Sequence, residues 1–364
     1  MPQPLIVDSH EDLAYNVLSF GRDYTRSVAE TRQIERASGS AAPEHNGDTL
    51  LGWPDYQRGR VAVVFGTLLV TPARRKVGDW DKVSYANFDQ AHRLYWSELE
   101  VYHELVDRHP DQFRLVGARP DLEALLADWE GPGETHPVGL VPLMEGAEGV
   151  RTPAELDEWW QLGLRIIGPA WAGTRFCGGT REPGPLTDDG RALLRGMAEI
   201  GFALDLSHMD ELAARQALDL YPGPVIASHA NAAAIIPEYT GNRQLADAVI
   251  RGLIERDGVI GVVPYCLFLD YRWKKGDRRD PITLETLADH VDHVSQLAGD
   301  ARHVGLGCDF DGGFGLASVP ADVDTIADMQ KLGPILAARG YNDADIAAVL
   351  GGNWLRHLKT HLPA

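Results

Sequence analysis

Short apolar runs rich in β-branched residues recur along the chain, separated by stretches in which apolar positions return at helical spacing. The runs are PLIVDSH (4–10), VAVVFGTLLV (61–70), PVGLVPLME (137–145), LRIIGPAW (164–171), GFALDLSH (201–208), PVIASH (224–229), GVIGVVPY (258–265) and HVGLGCDF (303–310). Most are continuous rather than alternating, which is how strands covered on both faces read. Between them lie helix-like segments at 84–109, 189–200, 210–220, 243–257 and 283–298. Eight strands alternating with helices predict one α/β domain over residues 1–364, a (β/α)8 barrel, rather than two domains. Residues 21–57, rich in polar residues, Gly and Pro, predict a long loop after the first strand, and residues 342–362 predict closing helices.

Composition narrows the partners. The 34 Lys and Arg against 53 Asp and Glu give a net charge of −19, which repels nucleic acid and anionic membrane surfaces. The start, MPQPLIVDSH, carries no basic region ahead of a long apolar stretch, and no window reaches about 18 uninterrupted apolar residues. The expectation is a cytoplasmic protein without an anchor. A homodimer is compatible with the sequence, which does not fix the oligomeric state. Cys177, Cys266 and Cys308 are far apart and form no C-x-x-C pair, so any metal site must use His and carboxylates.

The strand list ends on such residues. His10, with Asp12 just beyond it, Glu145, His208, His229 and Asp309 stand at the carboxyl ends of five predicted strands. In a barrel those ends meet on one face, the face on which barrel enzymes keep their chemistry. Each motif alone has an ordinary explanation: Ser and His cap helices, MEGAEG reads as a turn, and Asp309 and Asp311 before Gly312 and Gly313 read as another. Independent caps have no reason to recur at the same end of five strands. Imidazole with carboxylate suits Zn²⁺, and also Mn²⁺, Fe²⁺ or Co²⁺. Three His with two or three carboxylates exceed the needs of one tetrahedral ion, and two divalent ions sharing a carboxylate fit better.

The motifs DSHED, MEGAEG, DLSH, ASH, NRQLAD, GLGCDFDG and LGGNWLR follow one another in the order and spacing of the membrane (renal) dipeptidase family, within the amidohydrolase superfamily, and the chain resembles that family over nearly its whole length. The resemblance implies a dipeptidase that cleaves small dipeptides with a hydroxide bridging two zinc ions. It implies His10, Asp12 and Glu145 on one ion and Glu145, His208 and His229 on the other. It further implies that Asp309 handles the proton of the attacking water, and that Arg243 and Tyr265 hold the substrate's terminal carboxylate.

One stretch departs from the family. Where its fourth strand usually ends in a Thr-His pair that puts an imidazole near the scissile carbonyl, this chain has Ala170 and Trp171. An oxyanion donor of that kind is often worth about 3 kcal/mol. Arg175, in the same loop, is one candidate replacement, and Trp171 is a candidate lining residue of an enlarged apolar pocket. Three readings therefore stay open: a dipeptidase or related amide hydrolase, an amidohydrolase acting on a lactone, a cyclic amide or an N-acyl amino acid, and a catalytically silent metal-binding protein.

Overall fold

A computed structural model describes residues 3–364, and all eight expected strands are present. They are β1 (Ile6–Glu11), β2 (Val61–Leu69), β3 (Val138–Glu145), β4 (Ile166–Gly168), β5 (Ala203–Asp205), β6 (Val225–Ile226), β7 (Ile260–Val262) and β8 (Val304–Leu306). Every pairing among them is parallel, in the order β6-β5-β4-β3-β2-β1-β8-β7. The two ends of that order meet at a bridge between Ala227 and Ile260, held by Ala227 N–H to Val259 O at 3.0 Å and Gly261 N–H to Ala227 O at 2.8 Å. The ring is thereby closed, and a closed ring leaves no edge to pair elsewhere. A further strand, Phe113–Leu115, pairs with Val138–Leu140 at the amino-terminal end of β3.

Burial on both sides explains the continuous apolar runs, since β1 and β3 are buried at every position. The interior is tight. A Cβ at Gly307 would lie 1.9 Å from the Ser228 carbonyl oxygen, so that position requires glycine. Ser9 fills the remaining space, its hydroxyl donating to Ser228 O at 2.5 Å and Leu306 O at 2.8 Å. The tail packs against β8: Trp354 Nε1 donates to Leu306 O at 2.9 Å and Asn353 Nδ2 to Val304 O at 2.8 Å. Among the described residues no helix is long and apolar enough to cross a membrane.

Two expectations need correction. Residues 21–57 are not a loop: they include the helices Val28–Ser38, Ala42–His45 and Trp53–Gly59, which follow the helix Leu13–Phe20. Ser27 and Glu30 form a capping box at the start of the longest, a signal hidden by the polar composition. The segment is polar because charge anchors it. Arg22 pairs with Glu35 at 2.8 Å and with Asp311 at 3.0 Å, and Asp311 also accepts from Tyr24, Thr49 and the Leu50 N–H. The strands β5, β6 and β8 also end before the His or Asp expected to terminate them. His208 and Asp309 have φ of 64° and 56°, left-handed values that no strand ladder accommodates.

Candidate metal centre

His10 lies in β1 with Asp12 just past it, Glu145 ends β3, and His208 and His229 stand in the loops after β5 and β6. The barrel brings all five to one point. Glu145 Oε1 lies 2.9 Å from His208 Nε2 and 3.3 Å from His229 Nε2, while its Oε2 lies 3.7 Å from His10 Nε2. His10 Nε2 is in turn 3.9 Å from Asp12 Oδ1 and 4.0 Å from Asp309 Oδ1. Within each of two sets, His10–Asp12–Glu145 and Glu145–His208–His229, the ligand-type atoms are within 4.8 Å of one another. Glu145 belongs to both and turns one oxygen to each.

These atoms need a partner that the protein does not supply. His10 Nε2, Asp12 Oδ1 and Glu145 Oε1 are buried without a hydrogen bond. Leaving one such group unpaired costs about 1–3 kcal/mol, and more if charged, so three together describe a cradle for cations. Burial holds the three imidazoles well below their usual range, hence neutral, with the Arg243 charge acting in the same direction. Neutral imidazole is the form that ligates metal.

A second layer of contacts orients the rings. Ser228 Oγ donates to Asp205 Oδ2 at 2.5 Å, which leaves its lone pairs facing His229 Nδ1 at 2.8 Å and His10 Nδ1 at 3.3 Å. Asp205 is fixed by the N–H groups of Ser207 and Ser228 at 3.0 and 2.8 Å. Thr180 Oγ1 holds His208 Nδ1 at 2.9 Å. With each Nδ1 engaged, the Nε2 lone pairs point into the cluster.

The cluster forms one end of a cavity of about 370 Å³, which Arg243, Tyr265, Trp171 and Asp309 also line. Arg243 is buried; its Nη2 donates to His229 O at 2.8 Å, but Nε and Nη1 have no partner. Tyr265 is stacked on Phe314 with ring centroids 4.2 Å apart. Asp309 is held by its N–H to His10 O at 3.1 Å. Gly312 leaves it room, since a Cβ there would fall 2.1 Å from Asp309 Oδ1.

The sequence matches the model of the membrane dipeptidase family, peptidase family M19, over residues 1–362. The chain belongs to the membrane dipeptidase family. An uncharacterized protein from the pqqA 5′ region of Klebsiella pneumoniae is 30% identical over 277 residues, 73% of this chain and 95% of that one. The dipeptidase tcpJ of Claviceps purpurea is 27% identical over 327 residues, 85% of this chain and 69% of that one. In fold, a metallo peptidase from Rhodobacter sphaeroides, crystallised with a phosphinate mimic of the dipeptide L-Ala-D-Ala, superposes with a TM-score of 0.78 over 99% of both chains at 22% identity.

Within this dipeptidase-family barrel Trp171 lies on the cavity wall, its ring centroid 6.4 Å from that of His208. Arg175 does not reach the site, contrary to its candidacy as an oxyanion donor. Its guanidinium packs against Phe88 and Phe176 at 4.2 and 4.5 Å and donates to the carbonyls of Val150 and Arg151. Two aromatic faces and two carbonyls engage it away from the cavity. Sequence reasoning passed over Asp205, Ser228 and Thr180. The repeated Ser-His of DLSH and ASH marked Ser228 in outline, but Thr180 reaches His208 from a distant turn.

Proposed function

We propose that the chain hydrolyses the peptide bond of free dipeptides with two divalent cations, zinc foremost. His10, Asp12 and Glu145 would hold one and Glu145, His208 and His229 the other. The observation that carries this reading is the single carboxylate of Glu145 facing two ligand sets, with unsatisfied atoms in between. When bound, the pair supplies the acidity that brings a water towards ionisation at neutral pH and polarises a carbonyl.

The chain's own residues do the rest. Asp309, 4.0 Å from His10 Nε2 at the cavity wall, accepts the proton of the attacking water and returns it to the leaving amine. The Nε–H and Nη1–H of Arg243 are unpartnered, which leaves its charge and donors free for a terminal carboxylate. Tyr265 braces the same residue of the substrate, and Trp171 offers a broad apolar face to its other side chain. A cavity of about 370 Å³ takes a dipeptide and excludes a long chain. The dipeptidases among the relatives support the substrate class.

The test is metal analysis of the purified protein together with initial rates on a dipeptide panel that includes C-terminally amidated members. Two metal equivalents, loss of activity on chelation and poor use of the amides are expected. Arg243→Met should raise KM for free dipeptides about tenfold or more and change amide turnover less. Full metal content without dipeptide cleavage, or cleavage that survives thorough chelation, would overturn the reading.

A further inference from the structure

We propose that Arg181 makes this site selective for dipeptides whose carboxyl-terminal residue bears an acidic side chain. The inference rests on the dipeptidase reading above and adds to it a substrate class. Strands Cys177–Gly179 and Glu182–Leu186 pair antiparallel in the loop after β4, leaving Thr180 and Arg181 as a two-residue turn. That turn leans over the metal cluster. Thr180 touches His208, and Asn242 clamps the turn from the other side, donating to Gly179 O and accepting from the Arg181 N–H, both at 2.9 Å. Asn242 is the chain neighbour of Arg243, so the clamp sets Arg181 beside the group that grips the substrate's terminal carboxylate.

Arg181 occupies this turn with φ of 62°, a left-handed position that favours Gly or Asn. A long side chain is uncommon there, although Arg60 adopts the same region with φ of 53°. It lines the same cavity as Arg243 and Tyr265. Burial pushes the Tyr265 phenol up to about 12, and the Arg181 charge opposes that rise. The nearby Arg74 and Arg75 are neutralised by Glu182 at 2.8 and 2.7 Å. Among the described residues Arg181 has no ion pair and its side chain makes no hydrogen bond, in a chain with 53 acidic residues against 34 basic. Arg181, exposed, and Arg243, buried, put two guanidinium groups with free donors on the wall of one cavity, which fits a ligand with two carboxylates. The α-carboxylate goes to Arg243 and a side-chain carboxylate to Arg181. Asp81 lines the cavity as well and would repel an acidic side chain turned towards it.

The test compares kcat/KM of the zinc-loaded protein on Ala-Asp and Ala-Asn, and on Ala-Glu and Ala-Gln, pairs equal in shape and different in charge. It adds equilibrium binding of the reduced-amide analogues of Ala-Asp and Ala-Asn. The wild-type protein should favour the acidic member by about tenfold, a preference that added salt weakens. Arg181→Met should bring the ratio below about twofold, and Arg181→Lys should keep part of it. Ratios within one protein cancel any loss of folded enzyme. A wild-type ratio near one, or a preference that survives Arg181→Met, overturns the inference while leaving the dipeptidase reading intact. If no dipeptide is cleaved the dipeptidase reading fails, and the analogue-binding ratio still decides the role of Arg181.

Discussion

Asp309 and Ser228 approach His10 at its two ring nitrogens, 4.0 Å from Nε2 and 3.3 Å from Nδ1, yet their proposed tasks differ, and variants can separate them. Asp309 faces the cavity and His10, and carries a proton in the proposed chemistry. Asp309→Asn should therefore cut kcat by ~10²- to 10⁴-fold while leaving most of the metal bound. Ser228 does not line the cavity. It joins Asp205 to His229 and His10, so Ser228→Ala should loosen both rings and weaken metal affinity by ~10- to 100-fold, with kcat at saturating zinc much closer to normal. Metal titration alongside steady-state rates checks the split; metal loss from Asp309→Asn equal to that from Ser228→Ala would remove Asp309 from its proton role. The two residues also differ in how visible they were beforehand. His10, Asp12, Glu145, His208, His229 and Asp309 stood out because a polar ligand type closing an apolar run is anomalous on a buried strand. Asp205 and Thr180 gave no such signal, since their importance lies in what they touch.

Elements were legible in proportion to their burial. The eight barrel strands announce themselves because both faces are covered, which turns each into an uninterrupted apolar run. The helices between residues 28 and 59 are half-exposed and tied down by Arg22, Arg32 and Asp55, so their composition resembles a loop. The hairpin Cys177–Leu186 is harder still, because CGGTREPGPL holds glycines and prolines at the spacing of an irregular segment. Its tip supplies Thr180, which holds His208, and Arg181, which lines the cavity. What holds the tip in place is Asn242, whose Nδ2 also donates to Asp210 Oδ2 at 3.0 Å. Asn242→Ala removes that clamp, and should raise KM for free dipeptides by about three- to tenfold with a smaller change in kcat, while the hairpin becomes more open to proteolysis. An unchanged KM together with unchanged proteolysis would show that the hairpin holds its position without Asn242.

At the scale of the whole molecule, closing the barrel concentrates polar groups that weaken it. The ring gathers Glu145, Asp12 and three histidines in a buried spot where several atoms lack partners, a cost to folding that a bound cation would offset. Metal-free and metal-loaded protein should accordingly differ in stability. Zinc held at a hundred times its dissociation constant adds about 2.7 kcal/mol, which for a chain of this size raises Tm by a few degrees. Glu145→Gln separates this account from a purely structural one. The amide keeps the shape of the carboxylate but brings no charge to two cations, so zinc should no longer shift Tm. Without metal, however, the variant should melt at the same temperature as the metal-free wild type or above it, because burial penalises the charge of this carboxylate and the amide carries none. A residue whose task was to hold the loops together would behave in the opposite way, destabilising the metal-free protein when changed. Calorimetric scans of both proteins, with zinc and with chelator, decide the matter: an equal zinc shift in the two would mean that Glu145 is not the shared ligand.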